Sequence, residues 1–143
     1  MLNKIPKNIS PQLIKVLMEM GHGDEIVISD GNYPAASNAN LLVRCDGLNV
    51  PELLDSILEL MPLDAYVPEP VALMSVVPGD DVVPVIWEEY KKIINEKSTK
   101  EISIEYMERQ AFYERGKKAY AIVATGEKAI YANVILKKGV VKE

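Results

Sequence analysis

Only one cysteine, one histidine, one tryptophan and one phenylalanine occur in 143 residues, and aromatic side chains make up 6% of the chain. A lone thiol, Cys45, excludes an internal disulfide and suits a reducing compartment, so a cytoplasmic location is expected. A lone imidazole, His22, among scattered carboxylates offers no recognised ligand spacing, and no metal site is expected. Basic residues are outnumbered 16 to 21, for a net charge of −5. They are scattered except at Lys117-Lys118 and Lys137-Lys138, which argues against a nucleic-acid partner, because such binding needs a clustered positive face. The opening Met1-Leu-Asn-Lys-Ile-Pro6 is too short and too soon interrupted for a secretory signal or a membrane span, so no membrane association is expected. Neither Gly21-His-Gly23 nor Thr125-Gly-Glu127 matches a phosphate loop or a dinucleotide fingerprint, and no cofactor is expected.

What is present is the composition of an ordinary globular domain, 48% hydrophobic and 26% charged, with no repeat and no linker. At this length a chain buries roughly 70% of its unfolded surface, enough to dispense with staples. A single domain over 1–143 is expected.

Ser10-Pro11 reads as an N-cap with proline at the first helical position, and Leu13, Ile14, Leu17 and Met20 then follow at helical spacing as far as Gly21. Glu25 to Ser29 has an unbroken Ile-Val-Ile centre, the pattern of a strand buried on both faces. Asp30-Gly-Asn-Tyr-Pro34 has the chemistry of a loop. Further helices are expected from Pro51 to Pro62, from about Pro84 to Glu96, and from about Ile104 to Arg115. Further strands are expected at Leu41 to Arg44, Val71 to Val77, Ala119 to Ala124 and Ile130 to Lys137. The alternation indicates an α/β fold: a single three-layer domain with helices packed on a mixed, mostly parallel sheet.

His22 stands where a helix gives way to a strand, with glycine on each side, so its imidazole is presented at an edge or simply closes a glycine-capped turn. Asp30 lies beyond the other end of that strand, where polar groups of α/β sheets meet ligands or initiate turns. Eight extended steps separate the two by up to roughly 25 Å, so they act from two sides of a ligand or not together. On the helix expected at 104–115, Tyr106, Arg109 and Tyr113 share one face, and Glu105 and Arg109 form an i, i+4 pair. In the last strand Tyr131 and Asn133 point to one face and Ala132 to the other.

Taken together, Glu19-Met-Gly-His-Gly-Asp-Glu25, Asp30 with Pro34-Ala35, Arg44-Cys-Asp-Gly-Leu48, Phe112-Tyr-Glu-Arg115, Ala121-Ile-Val-Ala-Thr-Gly-Glu127, Tyr131-Ala-Asn133 and Lys137-Lys-Gly-Val140 closely resemble the family that holds the L-fucose mutarotases and the D-ribose pyranases. The likeness runs over nearly the whole chain, and Phe-Tyr-Glu-Arg is similar to the fucose branch. Tyr33 departs from the phenylalanine frequent in the family. The resemblance implies a cofactor-independent isomerase of monosaccharide anomers, with His22 as the acid–base residue. It further implies that Asp30, Arg109 and Tyr131, Ala132 and Asn133 bind the sugar, with Tyr113 and Asp64 as additional contacts. It also implies assembly into a ring-like homo-oligomer, a decamer, with the site near a subunit boundary.

Such chemistry is economical. Ring opening needs a proton delivered to the ring oxygen and another removed from the anomeric hydroxyl, and closure reverses both. One side chain titrating near neutrality, with groups that hold hydroxyls, is sufficient. A non-catalytic sugar-binding module and a purely structural assembly subunit are the other classes compatible with the sequence.

Overall fold

The computed structural model describes residues 1–143. In chain order the elements are α1 (Pro11–Glu19), β1 (Glu25–Ser29), α2 (Ala35–Asn38), β2 (Leu42–Cys45), α3 (Val50–Leu60), β3 (Val71–Met74), α4 (Ile86–Lys97), β4 (Ile104–Met107), α5 (Arg109–Lys118), β5 (Ala121–Thr125) and β6 (Val134–Lys137). The helix starts follow local chemistry. Ser10 accepts a hydrogen bond from the Leu13 amide at 3.1 Å, with Pro11 at the first helical position. At α3 the Glu52 carboxylate reaches back to the Asn49 amide at 2.6 Å, satisfying a donor that the helix itself cannot pair.

The six strands lie in the order β2-β5-β1-β6-β3-β4. β1, β2 and β5 pair in parallel, as do β3 and β4, and β6 alone runs against its neighbours β1 and β3. Alternate side chains of each strand feed two cores. Ile26, Ile28, Leu73, Val123 and Val134 meet α1, α3 and α4 on one face. Val27, Ala72, Ile122 and Ile135 meet Ala35 and Phe112, from α2 and α5, on the other. Both faces are covered, which is why β1, β3 and β5 read as continuous apolar runs rather than alternating ones. The three-layer, mostly parallel α/β architecture expected from the sequence is the one observed.

The short helix α2 is not anticipated by the sequence, and the elements around residues 104–109 and 131–134 depart from the sequence reading. Residues 104–107 form an edge strand, not the start of a helix. The alternation Ile104-Glu-Tyr-Met107 pairs with β3, and Glu108 then caps α5 by accepting from the Gln110 and Ala111 amides. Tyr106 therefore shares no helical face with Arg109 and Tyr113; it lies against Trp87, with ring centroids 5.3 Å apart. Glu105 pairs with Arg115 at 3.1 Å rather than with Arg109. Finally, β6 begins at Val134, and the three residues before it are irregular, with Tyr131 at φ 57°. The strand alternation expected for Tyr131, Ala132 and Asn133 is broken there, because a left-handed residue cannot continue a pleat. No helix is long and apolar enough to cross a membrane.

Candidate active site

Because β1 is parallel to β5 and antiparallel to β6, the carboxyl end of the first two strands coincides with the amino end of the third. Asp30 leaves β1 there and Asn133 enters β6. The Asp30 amide donates to Asn133 Oδ1 at 2.8 Å. Asn133 is buried, and its Nδ2 makes no hydrogen bond within the chain. Asp30 itself is buried, and burial pushes its carboxyl up from the usual aspartate range. The amides of Asn32, Ala132 and Tyr33 pull the other way without cancelling the shift. Asn32 donates to Asp30 Oδ1 at 3.0 Å. Arg109 begins α5 at the same end of the sheet, and its guanidinium has an aromatic neighbour, the Tyr113 ring, at 5.5 Å from Cζ to centroid. Tyr113 in turn meets Tyr33 edge-on, at 5.4 Å between centroids. Tyr33 is buried beneath, so Tyr113 is the ring left to cover a ligand.

The irregular 131–133 segment is held by α4. Trp87 Nε1 donates to the Tyr131 carbonyl and the buried Tyr90 hydroxyl to the Ala132 carbonyl, both at 2.7 Å. The Tyr131 hydroxyl donates to Asp80 at 2.6 Å, and Asp80's acceptance of that proton is the first cause of the phenol's raised pKa. Beneath Asp30, Thr125 Oγ1 donates to the Ser29 carbonyl at 2.6 Å and the Gly31 amide to the Glu127 carbonyl at 2.9 Å. A Cβ at Gly126 would lie 2.1 Å from the Asp46 carbonyl oxygen, so the turn closes only without a side chain. Thr125-Gly-Glu127 is thus the buttress of the Asp30 loop. The sequence marks Thr125-Gly-Glu127 as a family motif without its role; the polar contacts of Trp87 and Tyr90 escape sequence reasoning because apolar periodicity places α4 residues in the core without showing where their polar tips reach.

His22 and Asp64 are elsewhere. The turn at 21–24 precedes β1, and Gly23 adopts φ 87°, a conformation glycine takes without strain. The Gly23 amide donates to the Lys138 carbonyl at 2.9 Å, just beyond the far end of β6. His22 Nε2 lies 3.0 Å from Asp64 Oδ1, with the imidazole about half exposed and the carboxylate buried. The Tyr66 amide donates to that same oxygen at 3.0 Å, and the Tyr66 ring tilts against the imidazole at 5.4 Å. Burial pushes the Asp64 carboxyl up, but the Tyr66 amide and the His22 ring together outweigh it and hold the carboxyl below the usual range. The site residues expected from the sequence therefore divide. Asp30, Arg109, Tyr113, Tyr131, Ala132 and Asn133 gather at one end of the sheet; His22 and Asp64 gather at the other. The length of β1 separates them by roughly 15 Å or more. Cys45 is buried, and burial raises its thiol.

An α/β domain with convergent polar groups at the strand ends is the class of protein that binds small ligands there. The chain belongs to the RbsD / FucU transport protein family, whose model matches residues 3–141. It is similar to the fucose mutarotase of Streptococcus pneumoniae, solved in complex with L-fucose, at 64% identity and TM-score 0.95 over 99% of this chain and 100% of that one. It is 49% identical to an L-fucose mutarotase of Actinobacillus pleuropneumoniae, over 98% of this chain and 97% of the relative. Bacillus subtilis RbsD, solved with D-ribose, is 28% identical with TM-score 0.71, over 94% of this chain and 95% of that one.

Proposed function

We propose that this chain is an isomerase that interconverts the α and β anomers of L-fucose, acting on the free monosaccharide in the cytoplasm. The observation that carries the reading is the close likeness, over the full chain, to a protein crystallised with L-fucose, against a markedly weaker likeness to the ribose-bound relative. His22 donates a proton to the ring oxygen as the ring opens, and closure on the other face of the aldehyde carbon returns it. Asn133 Nδ2 and the Arg109 guanidinium donate to sugar hydroxyls, Asp30 accepts from them, and Tyr113 covers an apolar face such as the methyl of a 6-deoxy sugar. The residues on this chain supply proton transfer and hydrogen bonds, which suffice for the reaction.

The separation of the two polar clusters along β1 supports a site shared between subunits. The His22 end of one copy would meet the Asp30 end of the next, a head-to-tail contact that closes into a ring when the rotation permits. We take the assembly to be such a ring, a decamer when two five-membered rings stack.

NMR exchange between the anomers of L-fucose tests the function. Wild-type protein is expected to accelerate exchange, and His22→Ala to lower the rate by about 10²-fold or more, the usual contribution of a positioned acid–base group. Wild-type exchange by His22→Ala would overturn the catalytic assignment. Saturable fucose binding without acceleration would identify a binding module instead. D-ribose, followed for both anomeric and pyranose–furanose exchange, tests the other branch of the family.

A further inference from the structure

Asp80 lies in the loop between β3 and α4, outside the groups expected to touch the sugar, yet it holds one of them. We propose that Asp80 is a positioning residue for sugar binding: by taking the proton of the Tyr131 hydroxyl, it fixes Tyr131 in the conformation that delivers the Ala132 amide to Asp30. The inference rests on the reading of the Asp30 end of the sheet as the sugar site.

Three observations carry it. Tyr131 stands at φ 57°, and a residue with a side chain keeps that left-handed conformation only where its surroundings over-determine it. The backbone is held by α4, through Trp87 at the Tyr131 carbonyl and Tyr90 at the Ala132 carbonyl. The side chain is held separately. The Val77 amide donates to the phenol oxygen at 3.3 Å, and the phenol donates to Asp80 Oδ2 at 2.6 Å. Second, Asp80 is itself built in. Its amide donates to the Val77 carbonyl at 3.0 Å and its Oδ1 accepts from the Val82 amide at 3.1 Å, while Gly79 takes φ 92° to close the turn. The root of the loop is tied to β4, where the Ser75 amide donates to the Met107 carbonyl at 2.7 Å. Each carboxylate oxygen thus has one fixed partner. Third, Ala132 follows Tyr131 directly, and its amide is one of the three that act on the Asp30 carboxyl. The peptide joining the two residues is planar, so the conformation of Tyr131 sets where that N–H points.

The same geometry fixes the polarity of the phenol. Its proton is committed to Asp80, so toward a sugar hydroxyl Tyr131 can only accept. Asp30 accepts as well, which leaves Arg109 and Asn133 as the donors.

The test is a double-mutant cycle on anomer exchange of L-fucose with Asp80→Ala, Tyr131→Phe and the two combined, melting temperatures being recorded alongside. Each single variant is expected to raise the half-saturation concentration by about fivefold, the loss of one exposed charge-assisted hydrogen bond, with the maximal rate changed by less than about twofold. The double variant is expected to show no further rise, because both changes remove the same contact. Losses that multiply would show that Asp80 meets the sugar itself, and a lowered melting temperature with unchanged half-saturation in Asp80→Ala would reduce it to a brace of the loop. Either result would overturn the proposal. Asp30→Asn separates the two sources of failure. If it too binds sugar as wild type does, the fault lies in the placing of the sugar site; if it is weakened and Asp80→Ala is not, the fault lies in the role given to Asp80. A spectroscopic check needs no sugar. In protein labelled with ¹³C at the tyrosine ζ carbon, the resonance lost in Tyr131→Phe is expected to titrate above the ordinary tyrosine value, because the neighbouring carboxylate holds the phenol's proton. It should move down in Asp80→Ala, and an identical titration in both proteins would overturn the contact.

Discussion

Asp30 and Asp64 are both buried carboxylates, and their surroundings push them in opposite directions. Asp30 is raised, burial outweighing three backbone amides, so its ionisation in the folded state costs stability. For a carboxyl raised on folding, that cost is absent below the unfolded value near 3.8 and appears as pH rises through the folded one. Asp30→Asn, which keeps an acceptor for the Asn32 amide, is therefore expected to melt at higher temperature than wild type at pH 7. The difference should vanish as pH falls toward 4. The same variant should raise the half-saturation concentration for sugar by about tenfold, the loss of one charged acceptor. Thermal melts at the two pH values and a sugar titration check it, and a destabilised variant at pH 7 would refute the account. Asp64 is lowered despite its burial, by the Tyr66 amide and then by His22, so these contacts contribute stability above the ordinary aspartate range and lose it as pH falls through the lower folded value. A functional carboxylate kept at a cost to the fold is a common sign of a binding site.

Between elements, one close contact joins the loop after β1 to α5. The buried Tyr33 hydroxyl has no hydrogen-bond partner, burial pushes its pKa up to about 12, and a Cβ built on Gly116 would lie 2.3 Å from that oxygen but 3.5 Å from the ring carbon bearing it. Gly116 thus accommodates the hydroxyl, at the helix-propensity cost of an internal glycine. Tyr33→Phe is expected to stabilise the protein by about 1 kcal/mol, the penalty of an unpaired buried hydroxyl, or about 3 °C in melting temperature at this size. Gly116→Ala alone is expected to destabilise through the clash. In the Tyr33→Phe background the same change should become stabilising by up to about 1 kcal/mol, because alanine favours helix. Denaturant titration of the four proteins measures this reversal of sign, and additivity would refute it. At the same scale, α4 explains why the 131–133 segment can leave the sheet without penalty: its carbonyls find Trp87 and Tyr90 as donors.

For the whole molecule, the direction of β1 is decisive. It places His22 and Asp30 at opposite ends of one sheet, and on the proposed function a sugar that meets both lies between two copies. Mixing two inactive variants tests this directly. Assemblies co-expressed from His22→Ala chains and chains carrying both Asp30→Asn and Arg109→Met are expected to regain about one quarter of wild-type exchange. In random head-to-tail contacts, that fraction of interfaces pairs an intact His22 end with an intact Asp30 end. Mixed assemblies with no recovered activity would place both groups of residues on one chain's site and refute the shared arrangement.

Much of this was legible in the sequence. Caps and apolar spacing located α1, α3 and α4, and the unbroken runs of β1, β3 and β5 disclosed a sheet covered on both faces, because these signals are local and arise from burial itself. The family motifs picked out His22, Asp30, Arg109 and the Tyr131 to Asn133 segment. The start of α5 was misplaced because Ile104-Glu-Tyr-Met107 suits either period, and only its pairing with β3 makes it a strand. The start of β6 was misplaced because a positive φ at Tyr131 is sustained by distant partners, Trp87 and Asp80. Which carboxylate meets the histidine was equally beyond sequence. Asp30 is eight residues from His22 and Asp64 is 42, yet strands that cross the domain separate neighbours in the chain and bring remote ends together. Residue types and local periodicity are determined within a few residues; partnership at the site is decided by strand direction and register, which only the folded sheet sets.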